Sequence, residues 1–113
     1  MEMIIRNERT LEWVKNTKHR EVYLKHLVTS KDNDRLSAHI VRIEKGGEIV
    51  PHTHEIMEVF YFMKGQGLAL VNGERIKVDA GSVIIAPAGT QHGLINDGDE
   101  ELILFSVFSP ANV

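Results

Sequence analysis

Apolar residues in this chain fall in short blocks or alternate with polar ones, and glycine-bearing turns separate the blocks. Residues 22–28 and 36–43 are rich in β-branched and apolar side chains, with the polar cluster Ser30-Lys31-Asp32-Asn33-Asp34 between them. Lys45-Gly46-Gly47 predicts a tight turn, followed by an extended segment over 48–54. An apolar run over 57–63 is bounded by Gly65 and Gly67. Asn72-Gly73, between 68–71 and 75–78, is a strong hairpin signal because both turn positions need positive φ. Strands are predicted over 82–86 after Gly81, over 92–96 after Gly89, and over 102–108 after Asp97-Gly98-Asp99. The one helical candidate is 10–16. Short strands separated in this way predict an all-β sandwich or barrel.

A length of 113 residues suits one domain, 1–113, with N-terminal strands and turns over 1–35 and a barrel core over 36–109. At 42% hydrophobic residues the chain can bury a real core. A formal charge of −3, with basic residues scattered, gives no electrostatic case for nucleic acid or an anionic membrane as partner. There is no cysteine, which excludes disulfides and thiolate metal sites. No apolar stretch approaches the roughly 20 residues of a membrane span. Charges at Glu2, Arg6, Glu8 and Arg9 do not read as a secretory signal, so the expected compartment is the cytoplasm.

Chemistry concentrates in the histidines, of which there are six. Side chains alternate along a strand, so His52-Thr53-His54 would project two imidazoles from one face. Glu58, at the head of the next strand, can add an anionic oxygen to two neutral nitrogens. His92 lies far downstream, and only a folded barrel could bring it near. Each residue alone has an ordinary surface or turn explanation. Together they stand in two spaced runs. Gly46, five residues, His52-x-His54, three residues, Glu58, six residues, Gly65 is the first. Gly81, five residues, Pro87-x-Gly89, two residues, His92, three residues, Asn96 is the second.

In these two runs the sequence resembles the cupin superfamily, in the small single-domain type, with 15 residues (66–80) between the motifs. The resemblance covers 46–96 and implies a double-stranded β-helix, or jelly-roll, barrel with one metal ion inside. It makes His52, His54, Glu58 and His92 the metal ligands. Nitrogen and oxygen donors suit a divalent transition metal, with Fe or Mn favoured and Ni, Co, Cu or Zn possible, over Ca or Mg. Pro51 removes a ladder donor beside His52, which predicts an edge or a bulge.

Alternation also selects a pocket. Steps of two from Glu58 place Phe60 and Phe62 inward, and from His92 they place Leu94 and Asn96 inward. The last strand offers Leu104/Ser106/Phe108 or Ile103/Phe105/Val107, and the first face is preferred for its polar Ser106. His39 and Arg42 cannot share a face, and comparison with small metal-binding cupins favours His39 as the inward residue. There it would be a catalytic acid or base, with an unperturbed pKa near 6.5, or else a hydrogen-bonded core histidine. His19 and His26 are expected to be exposed, and Trp13 and Tyr23 to pack. The pocket so drawn is largely apolar and has no clear inward cation.

The expected function is a small metalloenzyme, dioxygenase-like, acting on a small organic substrate. A metal-dependent isomerase, cyclase or lyase and a non-catalytic ligand-binding module are the alternatives, since one scaffold hosts many chemistries. Cupin barrels also imply a homodimer, with the N-terminal segment supplying an extra or swapped strand.

Overall fold

The computed structural model describes residues 2–113. Its strands are β1 (Val14–Lys15), β2 (Arg20–Val28), β3 (Ser37–His52), β4 (Met57–Lys64), β5 (Gln66–Val71), β6 (Glu74–Asp79), β7 (Val83–Ala86), β8 (His92–Ile95) and β9 (Leu102–Ser109). Every strand pair is antiparallel, in the order β6-β5-β8-β3-β9-β4-β7, with β2 on the free side of β3 and β1 on β2. The fold is all-β and forms the expected double-stranded β-helix.

β3 organises the sheet. Its first half lies between β2 and β9, and its second half pairs with β8. The turn predicted at Lys45-Gly46-Gly47 is instead a bend within this continuous 16-residue strand. Gly46 has φ +78°, and a Cβ on Gly47 would lie 2.8 Å from the Arg20 carbonyl oxygen. The glycines thus let β3 turn from one layer to the other without ending its pairing. The helix predicted at 10–16 is also absent. A single 3-10 turn, Glu8–Thr10, is capped by the Asn7 side chain, and β1 follows it.

Cross-strand register arranges inward side chains in rows. Val22, Ile43 and Leu102 form one row, and Leu24, Val41, Leu104 and Phe62 the next. Ile43, Leu102, Leu104 and Phe62 are completely buried there. The third row is His26, His39, Ser106, Phe60 and Ile84, running across β2, β3, β9, β4 and β7. Ser37, Phe108 and Glu58 make the fourth. The interior therefore changes from hydrocarbon to imidazole, hydroxyl and carboxylate along one direction.

Arg42 faces outward, with its guanidinium 4.4 Å from the Trp13 ring and 4.8 Å from the Tyr23 ring. Its Nε lies 3.0 Å from Glu44 Oε1, an ion pair not aligned as a hydrogen bond. The N-terminal segment is tied down in the same chain. Arg6 donates twice to Asp32, at 2.6 and 2.9 Å, and Lys25 donates to Glu8 Oε2 at 2.8 Å. Among the described residues no helix is long and apolar enough to cross a membrane.

Candidate metal centre

A register shift in the β3–β8 pairing brings His52 inward. Ile49 stands opposite Leu94, but His52 stands opposite His92, so β3 carries one extra residue at Val50-Pro51. Simple alternation from buried Ile49 would point His52 away. The bulge reverses its parity, as bulges beside functional sites do. This is the irregularity that Pro51 predicted. His54 lies beyond the end of β3, in the loop before β4, so the two imidazoles meet across a strand end rather than along one face. Their ring centroids are 5.4 Å apart, and each is within 4.8 Å of that of His92.

The Nδ1 atoms settle the protonation pattern. His52 Nδ1 is 2.8 Å from the Val50 carbonyl, His54 Nδ1 2.8 Å from that of Ile56, and His92 Nδ1 3.0 Å from that of Thr90. A carbonyl oxygen only accepts, so each Nδ1 carries the proton and donates. A neutral imidazole then has a bare lone pair on Nε2, the form in which it binds metals. One ligand atom from each of the three histidines falls within 4.8 Å of the others. Glu58 Oε1 lies 3.2 Å from His54 Nε2 and 3.3 Å from His92 Nε2. Its Oε2 accepts from Ser106 Oγ at 2.6 Å, which fixes the carboxylate's orientation.

Such an arrangement calls for a cation. Lone pairs and a carboxylate oxygen face one another with no proton between neutral partners. Ligand atoms about 2.1 Å from an ion are roughly 3.0 Å apart on an octahedral edge and about 3.4 Å apart on a tetrahedral one. The two Glu58 separations fall in that range, so the cluster could hold a metal. Without one, a proton answers the same demand. Burial alone would lower the pKa of His92, but the hydrogen bonds to Glu58 and to the Thr90 carbonyl, with the Glu58 charge, outweigh it and raise the pKa. His52 is lowered, mainly by burial and against the Val50 hydrogen bond, with His92 and His54 adding to the effect.

Beside the cluster is a cavity of about 200 Å³, smaller than the roughly 300–1,000 Å³ of pockets for drug-sized ligands. Phe60, Ser106 and Phe108 line it, as the sequence predicts, together with Glu58, His52 and His39. Phe62, Leu94 and Leu104 do not. They lie one layer deeper, packed in the hydrocarbon core, because alternation gives a face but not a depth. Ser106 is less a pocket wall than the hydrogen-bond donor that holds Glu58.

His39 faces inward and is 2% exposed. Its Nδ1 is 3.1 Å from His26 Nδ1, with the rings nearly perpendicular. Burial, then the neighbouring His26, pushes its pKa down to about 4, well below the expected 6.5. His39 is therefore both the hydrogen-bonded interior histidine and a cavity residue.

His19 and His26, expected to be exposed, also line the cavity, and Lys18 supplies a cation there. The pocket is richer in polar groups than the sequence suggests. The signal for His26 was present, because Val22, Leu24 and His26 form an apolar face in steps of two. His19 belongs to the turn between β1 and β2, where no periodicity marks it. Burial, then His52, lowers its pKa to about 4. Asn96 holds the loop before β9, donating to the Ile43 and Glu100 carbonyls.

Comparison with known proteins agrees with this fold. The sequence profile of the Cupin domain matches residues 39–108. An oxalate-binding protein of Thermotoga maritima is 29% identical over 91 residues, covering 77% of this chain and 74% of that protein. An L-ectoine synthase of Vibrio campbellii is 28% identical over 107 residues, covering 90% and 84%. In structure, the polyketide cyclase RemF of Streptomyces resistomycificus superposes with a TM-score of 0.85 at 20% identity, over 96% of this chain and 80% of that one. The profile match spans more than half of the sequence and includes all four residues of the cluster, and the chain belongs to the cupin domain family.

Proposed function

We propose that this protein is a metal-dependent enzyme in which His52, His54, His92 and Glu58 hold one divalent transition ion, and that it carries out redox-neutral chemistry on a small oxygen-bearing substrate. The observation that carries the reading is the backbone lock on three Nδ1 atoms, which leaves three Nε2 lone pairs clustered with a Glu58 oxygen 3.2 and 3.3 Å from two of them. Bound there, the ion would act as a Lewis acid that polarises a carbonyl or carboxylate oxygen. Mixed nitrogen and oxygen donors accept Fe, Mn, Co, Ni, Cu or Zn and disfavour Ca and Mg.

The chain's own groups supply proton handling and selection. His39 is neutral at ordinary pH, and its contact with His26 requires one ring to donate and the other to accept. The pair can therefore take a proton from a substrate or return it. No hydrogen bond is made by His39 Nε2 among the described residues, and the residue lines the cavity. Phe60 and Phe108 line the same space with apolar surface. Redox-neutral chemistry is favoured over the dioxygenase expected from sequence because the relatives named above are a cyclase, a synthase and an oxalate binder. The last of these supports a second reading, a protein that retains a small carboxylate without turning it over.

Elemental analysis of protein loaded with Fe, Mn or Zn should give about one ion per chain, and His92→Ala should abolish it. Loaded protein under anaerobic conditions should convert a member of a panel of small carboxylates and carbonyl compounds. His39→Phe should slow that reaction by about a hundredfold. Oxygen uptake in step with turnover would restore the oxidative reading, and saturable binding without product would favour the retaining one.

We propose that the protein is a homodimer. The segment before β2 supplies β1, which pairs with β2. The outward faces of β4 and edge strand β7 expose Tyr61, Met63, Val83 and Ile85, and a second copy would cover them. Sedimentation should show twice the chain mass.

A further inference from the structure

Val50 is part of the bulge and has no partner in the β3–β8 register. Its backbone serves two imidazoles instead. The Val50 N–H donates to His19 Nδ1 at 3.0 Å, and the Val50 carbonyl accepts from His52 Nδ1 at 2.8 Å. A neutral imidazole carries one ring proton. His52 therefore keeps its proton on Nδ1 and bares Nε2, whereas His19 bares Nδ1 and keeps its proton on Nε2. One bulged residue sets opposite tautomers on rings 5.2 Å apart.

The His19 donor is also held in place. Its backbone N–H donates to the Asn16 carbonyl at 3.3 Å, and the Asn16 side chain accepts from Lys18 N at 3.1 Å within the same turn. His19 Nε2 has no protein partner among the described residues and is not a sealed atom, while the residue lines the cavity. Lys18 contributes a positive charge to the same wall. A fixed N–H donor and a cation on one side, opposite the ion proposed above on the other, match a ligand with anionic oxygens.

We propose that His19 is a positioning residue whose Nε2–H holds one oxygen of a small carboxylate ligand beside the His52 cluster. The ion in that cluster rests on the reading given above, but the His19 tautomer does not. A proton on Nε2 and an occupied Nδ1 also separate His19 from the metal-binding set.

Nitrogen-15 NMR of metal-free wild-type protein at neutral pH should show His19 protonated on Nε2 and His52 on Nδ1. A His19 protonated on Nδ1 overturns the proposal. Cobalt(II)-loaded wild type, His19→Phe and His19→Gln should then be titrated with acetate and with imidazole, followed by visible absorption. Acetate should bind about tenfold or more weakly to His19→Phe, the loss of one hydrogen bond to a charged group. His19→Gln, which retains an N–H donor, should recover most of that affinity. Imidazole, whose bound nitrogen has no lone pair left for His19, should bind all three alike. Equal weakening of both probes, unchanged acetate binding, or cobalt lost only from His19→Phe would each overturn the proposal. A wild type that takes up no cobalt instead refutes the reading of the ion. His19 is then judged by the acetate-induced shift of its nitrogen signals in metal-free protein, and no shift overturns its role.

Discussion

At His39 the side chain is 2% exposed and meets His26 rather than water. Burial, with the neighbouring ring, pushes its pKa down from 6.5 to about 4. The unfolded chain therefore binds a proton between pH 6.5 and 4 that the folded protein refuses. Stability from this group is present above pH 6.5 and falls away as the pH drops through that window. The loss on moving from pH 7 to pH 5 should be on the order of 1–2 kcal/mol. His39→Phe has no such group, so its urea-unfolding free energy, measured in chelator, should change less between these pH values by about that amount. Equal slopes for both proteins would mean that His39 is not a buried neutral ring. The same residue shows what a sequence can encode. Its inward direction followed from parity and resemblance, but its low pKa comes from His26, a partner 13 positions away that only the β2–β3 register brings opposite.

At the scale of the strand, β3 carries most of the site's construction. It bends at Gly46-Gly47 and bulges at Val50-Pro51, and the two irregularities have different physical demands. Gly46 needs φ +78° but a Cβ there meets nothing within 4 Å. A Cβ on Gly47 would meet the Arg20 and Glu44 carbonyl oxygens at 2.8 and 2.9 Å and Ile43 Cγ2 at 2.9 Å. Gly46→Ala should therefore cost about 1–2 kcal/mol, the strain of a left-handed alanine. Gly47→Ala should cost more, about 2–3 kcal/mol, because backbone and a core side chain must move. Urea unfolding of the two variants checks the order. A turn and a bend look alike in sequence, since a glycine doublet serves both, so the continuity of β3 was hidden there. The strands themselves were legible because alternation reports a half-buried sheet directly. The bulge was legible as a place, through Pro51, but not in its consequence. Only pairing with β8 shows that it turns His52 inward and releases Val50 to His19 and His52.

At the scale of the molecule, the cluster joins segments that are remote in sequence. His52 comes from β3, His54 from the following loop, Glu58 from β4 and His92 from β8. Spacing alone placed these residues in one family pattern, while Phe62, Leu94 and Leu104 were misplaced because depth depends on how the whole barrel closes. An ion held by all four would tie together strands that pair with different neighbours, β4 with β7 and β9, and β8 with β3 and β5. The unfolded chain has no such site, so binding energy becomes folding energy. At free metal 100 times the dissociation constant, the folded state should gain about 2.7 kcal/mol. For a domain of this size that is a rise in Tm of roughly 10 °C. Calorimetry across a series of zinc or manganese concentrations should show Tm climbing with the logarithm of free metal. His92→Ala, which removes a ligand, should have a flat Tm across the series. If wild type and His92→Ala respond alike, the stabilising ion is bound elsewhere on the molecule, and the convergence of these four side chains is not where metal meets the fold.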